Sequence, residues 1–336
     1  MRPVDKSWGP NYLRVGLQFE DDFNGRDDYQ FNAELRMTGL SSTGAEWRNL
    51  LQLGHESGIT SEFYAPFGRL GHWFVAPQLS YLAVTQPLRD GADEVARYRV
   101  ETSAGELRFG RDLGENTRIA LIAARSHDRA KRLVGDPALP DARRDDVSGI
   151  GMSLLYDSLD SVAFPTRGMR FEASYTRLGG ALGAHEHGGL IRLSWDQAAT
   201  AGRNTFSFGL RTSLSPDGVD TYSTNANLGG LTYLSGFGEG ELIGNQMAFA
   251  RLMYYRSFGS TAALLRTPLF VGASLEAGNV WDDFDDIGGD ELIRAGSVFM
   301  GVPLPIGPLR LGFGYADTGD RSFYLTFGSY VRAGFH

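Results

Sequence analysis

Strict two-residue alternation recurs in short stretches along the whole chain, and no long apolar run accompanies it. Leu13, Val15, Leu17 and Phe19 share one parity, while Arg14, Gly16, Gln18 and Glu20 share the other. Phe31, Ala33, Leu35 and Met37 alternate with Gln30, Asn32, Glu34 and Arg36. The pattern returns with Tyr98, Val100 and Thr102 against Arg97, Arg99 and Glu101. It returns again with Ile191, Leu193 and Trp195 against Arg192, Ser194 and Asp196, and with Leu309, Leu311 and Phe313 against Arg310, Gly312 and Gly314. Successive side chains of a strand point to opposite faces, so each stretch is a ribbon with one apolar and one polar face. A membrane-spanning helix needs about 20 consecutive apolar residues, and no stretch here approaches that.

Alternation alone fits a soluble sandwich as well as a membrane barrel; the connections and composition discriminate. About sixteen strands are expected, at 10–20, 28–39, 44–56, 58–66, 71–86, 93–111, 115–133, 144–157, 167–178, 187–199, 202–213, 245–258, 268–281, 291–303, 307–316 and 321–333. Odd-to-even connections are often long and polar (Asp21–Asp28, Gln86–Asp93, Val134–Arg144, Gly179–His187, Ser215–Gly244, Asp282–Glu291). Even-to-odd ones are mostly tight (Leu40–Gly44, Asp112–Glu115, Ala201–Asn204, Leu304–Gly307). Long loops at one end and short turns at the other are expected of an outer-membrane barrel, with the apolar parity facing lipid and the polar parity facing a wet lumen. The 44 glycines in 336 residues are about twice the ordinary share, and aromatics reach 12%. The absence of Cys excludes a disulfide scaffold, a thiolate metal site and Cys catalysis. A net charge of -8 argues against a nucleic-acid partner. The reading is an all-β transmembrane barrel in a bacterial outer membrane.

The longest connection, between the eleventh and twelfth strands, carries Leu228, Leu231, Leu234 and Phe237 among closely spaced glycines. A connection of about thirty residues is unusual unless functional, and these apolar positions favour a loop folded inward against the lumen wall. Within it, Leu234-Ser235-Gly236-Phe237 resembles the tip motif of the inward sixth loop in the BamA-like and two-partner-secretion transporter superfamily (the bacterial surface antigen barrel), with Ser where the family has Arg. Three further stretches agree with that resemblance, in the family's order. Asp157-Ser158-Leu159-Asp160 with Phe164-Pro165-Thr166-Arg167-Gly168 resembles its periplasmic turn. Leu275-Glu276-Ala277-Gly278-Asn279-Val280-Trp281 resembles one of its strands, and Pro305-Ile306-Gly307-Pro308-Leu309-Arg310 its penultimate hairpin. The family's tip Arg is thought to pair with an acidic residue of a lumen-facing strand. The resemblance therefore implies that Glu276, on the lumen parity, needs another partner; Arg251 and Arg211 qualify by parity.

Lys6-Ser7-Trp8-Gly9-Pro10-Asn11-Tyr12-Leu13-Arg14 resembles the junction between POTRA domain and barrel in patatin-like autotransporters, the type V d secretion class. This implies a junction over 1–9 and a barrel over 10–336, with patatin and POTRA domains preceding them in a longer chain. The start lacks an apolar signal-peptide core, which agrees with a fragment. The implied role is to anchor and help export an N-terminal lipase. The alternatives are an insertase or two-partner secretion transporter, a passive diffusion porin and a soluble sandwich. Expected partners are outer-membrane lipids and lipopolysaccharide, the barrel-assembly machinery during biogenesis, and a second copy of the chain.

No catalytic residue, metal or cofactor is expected. Gly54-His55-Glu56-Ser57-Gly58 misplaces the Ser of a nucleophile elbow, and Gly151-Met152-Ser153-Leu154-Leu155 lacks the second Gly. His185-Glu186-His187 and the acidic run Asp282-Asp283-Phe284-Asp285-Asp286 read as solvated loops. Arg125, Arg129, Lys131, Arg132, Arg143 and Arg144 are suited to lipid phosphates, but the interspersed Asp128, Asp136, Asp145 and Asp146 favour a solvated loop of mixed charge. Aromatics such as Trp73, Tyr81, Tyr156, Tyr175, Trp195, Tyr254 and Tyr315 suit interfacial girdles. The charged first strand and the glycines of the last, Gly319, Gly328 and Gly334, suggest a weak closing seam.

Overall fold

The structure, a computed structural model, describes residues 11–21, 27–68, 72–90, 93–180, 187–219, 221–259, 267–304 and 307–328. The expected 1–9 junction, His185, Glu186, Pro305, Ile306 and Gly334 lie outside these residues. Eighteen strands are present: β1 (Tyr12–Asp21), β2 (Asp27–Met37), β3 (Glu46–Gly54), β4 (Glu56–Phe67), β5 (Trp73–Asp90), β6 (Asp93–Leu113), β7 (Thr117–Gly135), β8 (Ala142–Asp157), β9 (Gly168–Leu178), β10 (Gly188–Ala201), β11 (Asn204–Leu214), β12 (Ala226–Leu228), β13 (Leu242–Gly244), β14 (Gln246–Phe258), β15 (Leu269–Trp281), β16 (Ile293–Leu304), β17 (Gly307–Ala316) and β18 (Arg321–Gly328). Sixteen form one closed antiparallel barrel, in which β11 pairs with β14 and β1 with β18. β12 and β13 make a separate ribbon within the long loop. The segment expected to lack strands thus contains a short hairpin.

The barrel is apolar outside and polar inside. Leu13, Leu17 and Phe19 are exposed, whereas Gln18 and Glu20 on the same strand are buried. On β15, Leu275 is 71% exposed and its neighbour Glu276 4%. A water-soluble sandwich would bury the leucines; a bilayer reverses the arrangement. The lumen wall of β3–β7 carries an ionic ladder. Glu62 bridges Arg108 and Arg48, and Asp112 holds Arg118 at 2.7 Å. Trp73 and Tyr254 are exposed toward the short-turn end, and Tyr175 and Tyr315 toward the loop end, as interfacial girdles require.

Two expectations change. Gln86–Asp93 and Val134–Arg144 are not long loops. β5–β8 run on as strands of 16 to 21 residues, well beyond the 9–11 needed to cross a bilayer. In this extension even positions of β6 still point inward, but the polarity of its two faces reverses. Tyr98 and Val100 are buried in an inner cluster with Ala96 and Ala130, and Arg97 lies exposed on the outer face. Above the lipid the outside is water, so the ordinary soluble pattern returns.

Among the described residues the seam is paired from Gly16↔Gly328 to Asp21↔Phe323. Gly328 has φ +81°, and a Cβ there would lie 2.0 Å from the Val15 carbonyl oxygen, so only glycine closes the sheet at this point.

Leu275, at the middle of β15, supplies a test of the membrane-facing surface. Leu275→Arg should lower the unfolding free energy of the vesicle-inserted barrel by about 2–4 kcal/mol in denaturant titrations. A change near zero would indicate that this face meets water.

Candidate functional site

The loop between β11 and β14 crosses the lumen and is tied to the wall on four sides. Near its start, the Ser223 amide donates to Asp128 of β7 (2.9 Å), a side chain that also accepts from Thr102 of β6. At its tip, the Ser235 amide and hydroxyl donate to the two carboxylate oxygens of Glu276 on β15, at 2.6 and 2.9 Å. The Gly236 amide donates to the Tyr324 hydroxyl of β18 (2.9 Å), which in turn donates to the Phe237 carbonyl (2.8 Å). Past the tip, the Glu239 amide donates to Glu20 of β1 at 3.1 Å. The segment 236–239 therefore holds both strands of the seam.

The apolar positions of the loop make a core with the wall. Leu228 and Leu234 are fully buried, Tyr233 and Phe237 nearly so, and they pack with Met247 and Phe249. The Tyr233 and Phe249 ring centroids are 4.9 Å apart. Backbone-to-backbone approach seats the tip on β17. A Cβ on Gly314 would lie 2.5 Å from that of Ser235, and one on Gly236 (φ +116°) would lie 2.8 Å from the Ala316 nitrogen. Thr232 and Leu234 adopt φ of +59° and +73°, a region that costs non-glycine residues on the order of 1–3 kcal/mol each. Two such residues flanking one anchor mark a locally strained tip. Hydrogen bonds hold it there: Thr232 N to Ser235 Oγ at 2.8 Å, and Arg251 to the Thr232 carbonyl at 3.0 Å.

This geometry corrects the expected lumen partners. Arg251 lies opposite Glu276 in the β14–β15 register, but its guanidinium donates to Thr232 and to Asp196 of β10, and Arg211 also pairs with Asp196. The carboxylate of Glu276 receives Ser235 and Ser274. The short serine lets the backbone amide itself reach the carboxylate, so the donor that an arginine would bring on a long side chain comes from the main chain. Asp196, Glu20 and Tyr324 were not singled out from the sequence, and Asp128, expected in a solvated loop, is instead fully buried on β7. Their only signal was a polar group on the lumen parity, which they share with residues that hold nothing.

A second cluster closes in from the short-turn end. Phe164, in the 158–167 connection, is buried against Tyr255, Phe270 and Phe299, stacked on Phe270 at 4.7 Å. Arg310 lies over its ring at 4.8 Å and donates to the Ala163 carbonyl. Two of the sequence motifs thus meet in space. Asp160 organises this turn. Burial pushes its carboxyl up, but the hydrogen bonds from the Thr166 hydroxyl and the Thr166 and Arg167 amides outweigh it and hold the group below the usual aspartate range. Of the serines weighed as nucleophiles, Ser57 sits in the β3–β4 hairpin bonded to the Gly54 carbonyl, and Ser153 within β8.

A sixteen-strand closed barrel with a polar lumen, an apolar belt and a loop fastened across its bore has the build of an outer-membrane barrel. The chain matches the Omp85 superfamily domain over residues 11–330 and belongs to that superfamily. No curated protein sequence matches it. Among solved structures, the barrel resembles BamA from Haemophilus ducreyi lacking POTRA domains 1-3 (TM-score 0.73, 14% identity, 96% of this chain and 71% of that one). It also resembles CdiB from Escherichia coli (0.65, 13%, 97% and 64%) and CdiB from Acinetobacter baumannii (0.64, 11%, 94% and 60%). The chain therefore spans less than two thirds of the CdiB chains. At these identities the likeness is one of fold; membership of the superfamily, together with the apolar outer belt, places the chain in the bacterial outer membrane.

Two substitutions test the anchor. Ser235→Ala removes one bond to a buried carboxylate, worth about 1.5–3 kcal/mol, and should raise protease cleavage of the loop several-fold in folded barrels. Gly314→Ala should displace the tip more, because the obstruction is backbone and cannot swing aside. Unchanged cleavage in both would mean that the anchor does not hold the loop.

Proposed function

We propose that this barrel is the translocator and anchor of a type V secretion system, and that it exports an N-terminal patatin-like lipase attached through a POTRA domain. The observation that carries the reading is the loop fastened across the bore at Glu276 and at both seam strands. A diffusion porin needs its bore to stay open, and a segment tied to both seam strands is not required for that. A translocator needs a lumen obstructed at rest and an obstruction that can be released. Membership of the Omp85 superfamily supports transport, and the serine at the loop tip with the 6–14 stretch supports the patatin-type branch. The barrel has no catalytic role in this reading, and chemistry resides in the upstream domain. The barrel-assembly machinery would insert the chain, and two copies could assemble through the seam.

The second reading, an insertase or two-partner transporter, is favoured by the likeness to BamA and CdiB barrels. The sequence that precedes this barrel in the full-length chain distinguishes them. One POTRA domain preceded by a lipase whose activity reaches the cell surface supports the first, and several POTRA domains without a lipase overturn it. For the barrel itself, single-channel recording in planar bilayers should show small, unsteady conductance that becomes large and steady on deletion of Thr232–Glu241. A large steady pore in both proteins would return the assignment to a porin.

A further inference from the structure

The basic residues read from the sequence as a solvated loop of mixed charge lie on strands, and strand alternation separates their signs. Asp128 points inward, fully buried, and holds Ser223 and Thr102. Asp145 pairs with Arg143, whose guanidinium stacks on Tyr222 of the lumen loop. Arg125, Arg129 and Lys131 of β7, Arg144 of β8 and Arg97 of β6 are left exposed on the outer face. Arg99 shares that face and reaches Thr85 at 3.4 Å. Among the described residues, Glu101 and Asp146 accompany these six cations, and Asp146 lies 3.7 Å from Arg125.

The arrangement costs stability. Arg129 stands directly opposite Arg144, and Arg99 opposite Lys131, and like charges in facing positions destabilise a sheet. Among the described residues Arg129, Lys131 and Arg144 have no ion pair. Just below the cations the surface is apolar, with Leu107, Leu121, Ile150 and Met152 exposed. The cations begin about where a strand starting at Thr117 would leave the bilayer after roughly 9–11 residues. At that level a groove of about 600 Å³ runs across the outer face. Ile59, Leu79 and Tyr81 wall it, the small Ser103 and Gly105 open it, and Arg125 and His127 stand at its edge.

We propose that the outer face of β5–β8 binds a phosphorylated glycolipid of the outer leaflet, of the lipid A class. Arg129, Lys131 and Arg144 take its phosphates, and one acyl chain lies in the groove over Gly105. The cations supply charge complementarity, and their continuity with the apolar belt selects a lipid over a soluble anion, since only a lipid presents phosphate and hydrocarbon at this height. Phosphate also removes the repulsion between the facing cations.

The test is native mass spectrometry of the folded barrel with bisphosphorylated lipid A, dephosphorylated lipid A and inorganic phosphate. Wild type should retain the bisphosphorylated lipid preferentially, and inorganic phosphate should not displace it. The triple variant R129S/K131S/R144S should retain about tenfold less, the attraction of three cations for a phosphorylated surface being reduced by screening. All three positions are exposed, so heat-modified gel migration should show an unchanged barrel; Arg144→Ser alone, with a smaller loss, serves if it does not. Gly105→Phe leaves every charge in place and fills the groove, and it too should weaken retention. Equal retention by the charge variants, or displacement by inorganic phosphate, overturns the lipid site. Unaltered retention by Gly105→Phe overturns the acyl-chain part.

Discussion

In hydrocarbon no water is available to satisfy a backbone amide or carbonyl, so a sheet that crosses a bilayer must leave no open edge. The pairing of β1 with β18 meets that requirement, and the rest of the architecture follows from closure. Once the sheet is a cylinder, alternation divides every strand between lipid and lumen. Leu275 and Glu276 can then be neighbours in sequence while one meets acyl chains and the other a buried hydrogen-bond network. Among the described residues closure runs from Asp21↔Phe323 to Gly16↔Gly328, and Gly328 is held there in the left-handed region.

The lumen loop makes that junction more than a boundary. Its tip bonds to Tyr324 on one side of the seam and to Glu20 on the other, and its strongest attachment is the Glu276 carboxylate a few strands away. A carboxylate out of water requires donors, and three come from Ser235 and Ser274. The left-handed Thr232 and Leu234 pull against this attachment. A segment held by charge-assisted bonds while carrying backbone strain can be displaced when those bonds are exchanged for others, as a transporter's obstruction requires. The same segment bonds to both seam strands, so the loop and the seam share their attachments.

Much of this was legible before any coordinates. Parity along β1, β2, β10 and β17 identified lipid and lumen faces, because a period of two is fixed by strand geometry and needs no tertiary information. The glycine-rich tip and Glu276 stood out for their resemblance to a known family. The parity rule failed on the extension of β6, where Tyr98 and Arg97 exchange sides relative to expectation, since a sequence does not carry the height at which lipid ends. The expected pairing of Glu276 with Arg251 or Arg211 failed for a different reason. Register brings Arg251 opposite Glu276, but Asp196, two strands away around the wall, and the Thr232 carbonyl take its guanidinium.

By itself, then, the sequence determined the strand count to within its edges, the inside-out polarity and the family, because these depend on local periodicity and on short contiguous motifs. The tertiary structure alone decided which residues close on one another across the bore: Ser235 with Glu276, Ser223 with Asp128, Glu239 with Glu20, and Phe164 with Arg310. It also turned Asp128, Asp145 and Arg143 inward and left Arg125, Arg129, Lys131 and Arg144 exposed outside. Those outcomes depend on barrel curvature, strand register and the path of one loop through the lumen, which join residues tens to hundreds of positions apart and leave no periodic trace in the chain.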